Sequence, residues 1–169
     1  MRKFIWEQSK EAQSKWIRYF LKKRYIVLDK MLYKSIRNVF QSGFTLDDIG
    51  DEDLQAKLIK EIFYYKFKWS CSNARYVRAG KKKGYEDVKY LLEEDGTLIR
   101  NLHKYRPDLV ELGIEICRKY IENGFDGDIA PVLHRIGGKG TNYEWNNITI
   151  ISKKEHDELT KKERKGQAS

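Results

Sequence analysis

The sequence predicts a mainly α protein with a small C-terminal ββα element, an α+β fold. Three observations lead there. Apolar residues recur at spacings of three, four and seven through most of the chain ahead of Gly124, the period of an amphipathic helix. Two short β-type runs, Ile129-Ala130-Pro131-Val132-Leu133 and Ile148-Thr149-Ile150-Ile151, follow near the end, joined by a glycine-rich polar connection. Directly after the second run stands Ser152-Lys153-Lys154-Glu155, a capping box that opens a further helix.

Composition narrows the class. Of 169 residues, 40% are apolar and 13% aromatic, enough for a packed core, while 35% are charged. That balance argues against a membrane protein and against disorder as the main state. No uncharged apolar run approaches the roughly 18–20 residues that span a bilayer. The opening MRKFIWEQSK turns polar before a signal-peptide core forms, so a cytoplasmic protein with no membrane partner is expected. Cys71 and Cys117, 46 positions apart and without a CxxC, read as two ordinary buried thiols.

The charge is unevenly placed. The chain carries 34 Lys and Arg against 25 Asp and Glu, a net +9, and residues 1–45 alone hold 11 of the basic residues with only Glu7, Glu11 and Asp29 as acids. Such asymmetry points to a polyanion partner. Residues 1–45 therefore read as a basic amphipathic helical arm. Trp6, Trp16, Ile17, Phe20, Leu21, Leu28, Leu32, Ile36 and Val39 supply its apolar stripe, and Lys22, Lys23, Arg24, Lys30, Lys34 and Arg37 its wet side. Two roles fit that wet side: contact with phosphates, or a solvated helix face.

Residues 46–125 read as a helical domain. Phe44 to Asp48 form a break with Gly43 behind it and Thr45 as an N-cap, before a helix carrying Leu54, Leu58, Ile59, Ile62 and Phe63. The cluster Phe63, Tyr64, Tyr65, Phe67 and Trp69 reads as the buried end of that helix rather than as a base-stacking platform. Gly80-Lys81-Lys82-Lys83-Gly84 is a basic loop between breakers, either a phosphate contact or a solvated turn. Tyr85 to Leu92 suggests a short helix closed by Glu94-Asp95-Gly96, after which Leu98, Ile99 and Leu102 continue the pattern. Asp108 is expected to cap a helix bearing Leu109, Leu112, Ile116 and Tyr120, stopped by Asn123-Gly124. His103 reads as structural or exposed, and the tail from Lys161 as frayed.

Residues 126–169 carry the chemistry. His134 ends the first strand, Asn147 precedes the second, and His156 sits in the first turn of the helix, at spacings of 13 and 9. In the string LHRIGGKGTNYEWNNITIISKKEHDEL this order resembles the HNH (ββα-metal) endonuclease family, over roughly residues 126–162. The resemblance implies a DNA endonuclease, nicking or cleaving, that uses one divalent ion (Mg, Mn, Ni or Zn), with RNA not excluded as substrate. The chain's compact size is also that of phage-type or mobile-element members. His134 would be the general base, since a neutral imidazole accepts a proton from water near neutral pH. Asn147 would tie the strands together or hold the His134 ring, and His156 would ligate the metal.

Two positions depart from the family pattern. Leu133 stands where an Asp or His usually binds the metal, and Thr160 where a second helical His is common. Asp128, Asp126 or Asp157 would then complete the shell, or His134 is itself a ligand, or the element has lost activity. Arg135, Lys139, Lys153 and Lys154 flank the unit as backbone contacts or as solvated charges. Gly137, Gly138 and Gly140 are followed by no GK[ST], against a nucleotide-binding loop, and Trp145 reads as an apolar plug. Two rivals come from other classes: a nucleic-acid-binding protein with a degenerate, inactive HNH-like element, and a helical interaction protein whose basic arm meets an acidic partner.

Overall fold

Each of the first three helices begins where a side chain satisfies the backbone N–H groups that a helix start leaves unpaired. In the computed structural model, which describes residues 3–92, 97–138 and 140–166, Ser9 accepts from the Ala12 N–H at the head of α1 (Lys10–Leu21). Asp29 accepts from Leu32 at the head of α2 (Lys30–Gln41). Asp51, not Thr45, caps α3 (Glu52–Asn73). The Thr45 N–H and hydroxyl instead donate to Asp48, which also pairs with Lys10 at 3.0 Å. This locks the turn that Gly43 opens in a left-handed conformation, φ 99°.

The chain is 61% helical. The apolar faces of α1 and α2, among them Ile17, Leu21, Ile36 and Val39, are buried in the same cluster as Leu58, Ile59 and Ile62 of α3 and Ile148 and Ile150 further on. The basic N-terminal segment is thus part of the common core, and its charges ride on helices anchored there. Gln13 adds a polar tie. It is 3% exposed, and its amide donates to the carbonyls of Trp6 and Gln8 and to Ser42 at the end of α2.

α3 is the central element. It meets α5 (Pro107–Glu122) across Gly113, where a Cβ would lie 2.2 Å from the Phe63 ring. Only glycine permits that approach. α3 ends in a turn of π-helix over Ala74–Arg78, a widened turn often found beside functional sites.

Residues 85–92 are not helical. Val88 and Leu92 are both buried, at the four-residue spacing that suggested a helix, but their backbone neighbours serve a different partner. Tyr143 donates to the Lys89 carbonyl, Leu91 donates to the Tyr143 carbonyl, and the Lys89 N–H donates to the Asn142 side chain. The segment is an extended strap bridged in parallel to Tyr143. The stop expected at Glu94-Asp95-Gly96 lies outside the described residues.

α4 (Leu98–Tyr105) runs into α5 at Pro107, the first residue of α5; Asp108 sits in the first turn and does not cap it. The Asp108 carboxylate instead holds Arg106, whose Nη1 donates to the carbonyls of Trp145 and Ile148. α5 stops at Asn123-Gly124 as the sequence suggests, with Gly124 at φ 66°. β1 (Pro131–Arg135) and β2 (Ile148–Ser152) pair antiparallel with His134 opposite Thr149. α6 (Lys153–Gly166) follows at once, opened by the expected capping box: Ser152 N–H to Glu155 at 2.9 Å and Glu155 N–H to the Ser152 hydroxyl at 3.3 Å. No described helix is long and apolar enough to cross a membrane.

Candidate active site

β1 alternates in burial. Pro131, Leu133 and Arg135 face inward, and Val132 and His134 are half-buried on the other side. The capping box places His156 in the first turn of α6, so the two histidines converge. Their ring centroids are 5.6 Å apart and their planes nearly perpendicular, at 87°. They share one cleft of about 180 Å³ with Thr160 and Glu163, one and two turns further along α6. Arg78 from the π turn and Lys82 and Lys83 from the basic loop also line it. The loop read as either phosphate contact or solvated turn therefore opens onto the histidines.

Both imidazoles are held below the ordinary histidine pKa. For His134 the main cause is burial, with His156 and Arg135 adding to it and Glu163 opposing. For His156 burial outweighs the hydrogen bond to Asp157, and Arg78 and Lys153 push the same way as burial. Both rings are thus neutral near pH 7.

Asn147 works on the loop rather than on His134. Its amide hydrogens are spent on the Thr141 hydroxyl (2.9 Å) and the Asn142 carbonyl (2.8 Å), and its oxygen accepts from the Gly137 N–H. Of the two roles expected for it, tying the strand connection fits this geometry and steering the imidazole does not. Gly138 is favoured by its backbone, and its Cα lies close under the Glu163 side chain. It sits at φ 71°, and a Cβ there would approach the Glu163 carboxylate to 2.8 Å.

Of the other predicted site residues that the structure describes, only Arg135 lines this cleft. Asp128 does not line the cleft; it is exposed on the turn before β1, where its carbonyl accepts from the Lys154 N–H. Asp157 is engaged by Lys153 as well as by His156. Arg135 is 7% exposed. Its guanidinium stacks on Tyr85 and Tyr143 and donates to the Thr141 carbonyl, so it braces the loop instead of facing solvent. Lys154 is exposed, and Lys139 lies outside the described residues. Lys22, Lys23 and Arg24 are exposed at the end of α1, and none of them lines the histidine cleft. Leu133 is 5% exposed in the core. Trp145 packs on Tyr105, and His103 bonds to the Tyr64 hydroxyl.

Among the described residues, no group of three or more His, Cys, Asp or Glu side chains is gathered as a metal centre. What the cleft does offer is two neutral imidazoles. Imidazole nitrogens are donors that Zn or Ni accepts more readily than the oxygen-seeking Mg does. The residues that sequence reasoning missed are Arg78 and Glu163. Glu163 is legible afterwards, since seven positions from His156 is the same helix face; Arg78 gave no signal. The chain matches no family model, no curated protein and no solved structure.

Proposed function

We propose that the chain is a metal-dependent endonuclease of the HNH type that hydrolyses a phosphodiester of DNA at the His134–His156 cleft. One observation carries the reading: two half-buried, neutral imidazoles stand edge to face in a cleft that Arg78, Lys82 and Lys83 also line. Arg78, Lys82 and Lys83 would hold the phosphate oxygens and steer the strand to the histidines. His134 takes a proton from the attacking water as its oxygen bonds to phosphorus; the bond to the leaving oxygen breaks, and solvent returns a proton there. His156 would hold a divalent ion, which when bound supplies charge stabilisation at the phosphate and the leaving oxygen. Asn147 and Arg135 keep the loop between the strands in shape.

A plasmid-nicking assay with Mn²⁺, Ni²⁺, Zn²⁺ or Mg²⁺ tests this. Wild-type protein is expected to nick, with loss of activity in EDTA, and His134→Ala is expected to fall by about 10²–10⁴-fold, the usual contribution of a positioned base. Equal nicking by wild type and His134→Ala rejects the mechanism. Leu133, 5% exposed in the core where the family pattern has a metal-binding residue, favours a second reading, a nucleic-acid-binding protein with an inactive element. That reading predicts salt-sensitive DNA binding with no cleavage in any metal.

A further inference from the structure

Beside the histidine cleft lies a second, larger cavity of about 650 Å³, with Arg78, Leu133, Tyr143 and His156 common to the lining of both. This volume is in the range of small-molecule sites, roughly 300–1,000 Å³. Its walls combine two chemistries. Tyr33, Tyr65, Trp69 and Tyr120 are aromatic, while Arg37, Lys66, Arg78 and Lys153 are cationic. Asp157 also lines the cavity, and it is already paired with Lys153.

The aromatic wall is preset. Tyr33 and Tyr65 stack at 4.5 Å with planes 20° apart, and the Tyr33 and Tyr120 hydroxyls share a hydrogen bond of 2.7 Å. Trp69 stands one helical turn beyond Tyr65 and is 56% exposed. The cations lie among the rings: the Lys66 ammonium is 5.5 Å from the Trp69 ring centre and 5.7 Å from that of Tyr120. The Arg37 Nε–H is buried with no hydrogen-bond partner. Burial also holds Lys66 below the usual lysine pKa, a charge that an anion beside it would stabilise.

We propose that this cavity is a nucleotide subsite that receives an unpaired base, stacked against Trp69 and Tyr65, with its phosphate held by Lys66 and Arg37. The inference rests on the phosphodiesterase reading of the adjoining cleft, because the two spaces share a wall and a strand bound at one lies beside the other. A duplex base is covered by its neighbours and cannot enter a concave pocket without leaving the stack. An unpaired strand presents ring faces freely and is gripped by the same pairing of aromatic and basic side chains. The substrate is accordingly a single-stranded or locally unpaired nucleic acid.

Fluorescence anisotropy with the full chain, a labelled 12-nucleotide single strand, the same sequence as duplex, and unlabelled AMP as competitor tests the proposal. Trp69→Ala is expected to weaken single-strand binding about 5- to 100-fold, as loss of one stacked base does, and to leave duplex binding unchanged. Trp69→Phe should restore most of the loss, and Lys66→Ala should weaken single-strand binding independently of Trp69. Unchanged single-strand affinity in both Trp69→Ala and Lys66→Ala overturns the subsite, as does an equal loss on duplex. Competition by AMP as strong as by the oligonucleotide overturns the strand assignment in favour of a free nucleotide. The two readings fail separately. If the wild type cleaves nothing while Trp69-dependent binding persists, the nuclease falls and the subsite stands. If cleavage depends on His134 while Trp69→Ala binds as wild type does, the reverse holds.

Discussion

At the scale of single residues, His134 and His156 converge as their spacing on a ββα element and the family it resembles led one to expect. A strand histidine at one end of a two-stranded hairpin and a histidine in the first turn of the following helix are brought together by the hairpin's register and the capping box. Period-two alternation also explains why Arg135 is not the surface contact it resembled, since it shares the inward face with Leu133. Asn147 shows the limit of residue-level reading. Its type and place were legible, but which of its two expected roles applied depended on where the Gly137–Asn142 backbone ran. The environment of His134 makes a pH prediction. The active form of a general base is the neutral one, and burial keeps the His134 pKa below its ordinary value of about 6.5. Nicking rate should therefore reach its plateau at a lower pH than an ordinary histidine base allows, and should fall as pH drops through the lowered value. A pH–rate profile at saturating metal checks this, and a rate still climbing above pH 7 would remove His134 as the base.

At the scale of elements, helices with side-chain caps and clean apolar spacing were legible, and the strap at 85–92 was not. Val88 and Leu92 are spaced like helix neighbours, but what decides the backbone is a pairing with Tyr143, more than fifty positions away, which no local pattern records. The aromatic cluster of α3 divides by face. Phe63 and Phe67 are buried as expected, while Tyr65 and Trp69, also four apart, line the open cavity. A helix carrying aromatics on two faces gives no single stripe, so the sequence could suggest only one role for all of them. The α4–α5 junction makes the element-scale prediction. Asp108 fixes Arg106, and Arg106 reaches the carbonyls of Trp145 and Ile148 where β2 begins, so one carboxylate orients a polar tie between the helical layer and the hairpin in addition to their shared core. The Arg106 hydrogen bond and charge hold the Asp108 pKa below its ordinary value. A carboxylate depressed in the folded state contributes stability that is present above its unfolded pKa, about 3.9, and lost as pH falls through the folded value. Thermal melts from pH 7 to pH 2 should show a shallower acid decline for Asp108→Asn than for wild type. Parallel declines would mean that the clamp adds nothing.

At the scale of the whole molecule, the net charge of +9 is not a tail appended to a neutral body. The N-terminal cations are carried by helices whose other faces, at Ile17, Leu21, Ile36 and Val39, lie in the central core. Truncating that region would remove core and charge together, so grip must be measured by substitution. Two cationic groups can then be compared. Lys82 and Lys83 line the histidine cleft, whereas Lys22, Lys23 and Arg24 stand at the end of α1 and do not line it. Each lysine that neutralises a phosphate adds about 0.7 to the slope of log K against log salt on a single strand and about 0.9 on duplex. Replacing Lys82 and Lys83 with Gln should therefore flatten the slope on a single strand by about 1.4 and lower cleavage with it, because those phosphates lie beside the reacting one. Replacing Lys22, Lys23 and Arg24 with Gln should leave single-strand cleavage unchanged. A slope that changes only with the second set would place the strand along α1, away from the histidines, and would separate binding from chemistry in this fold.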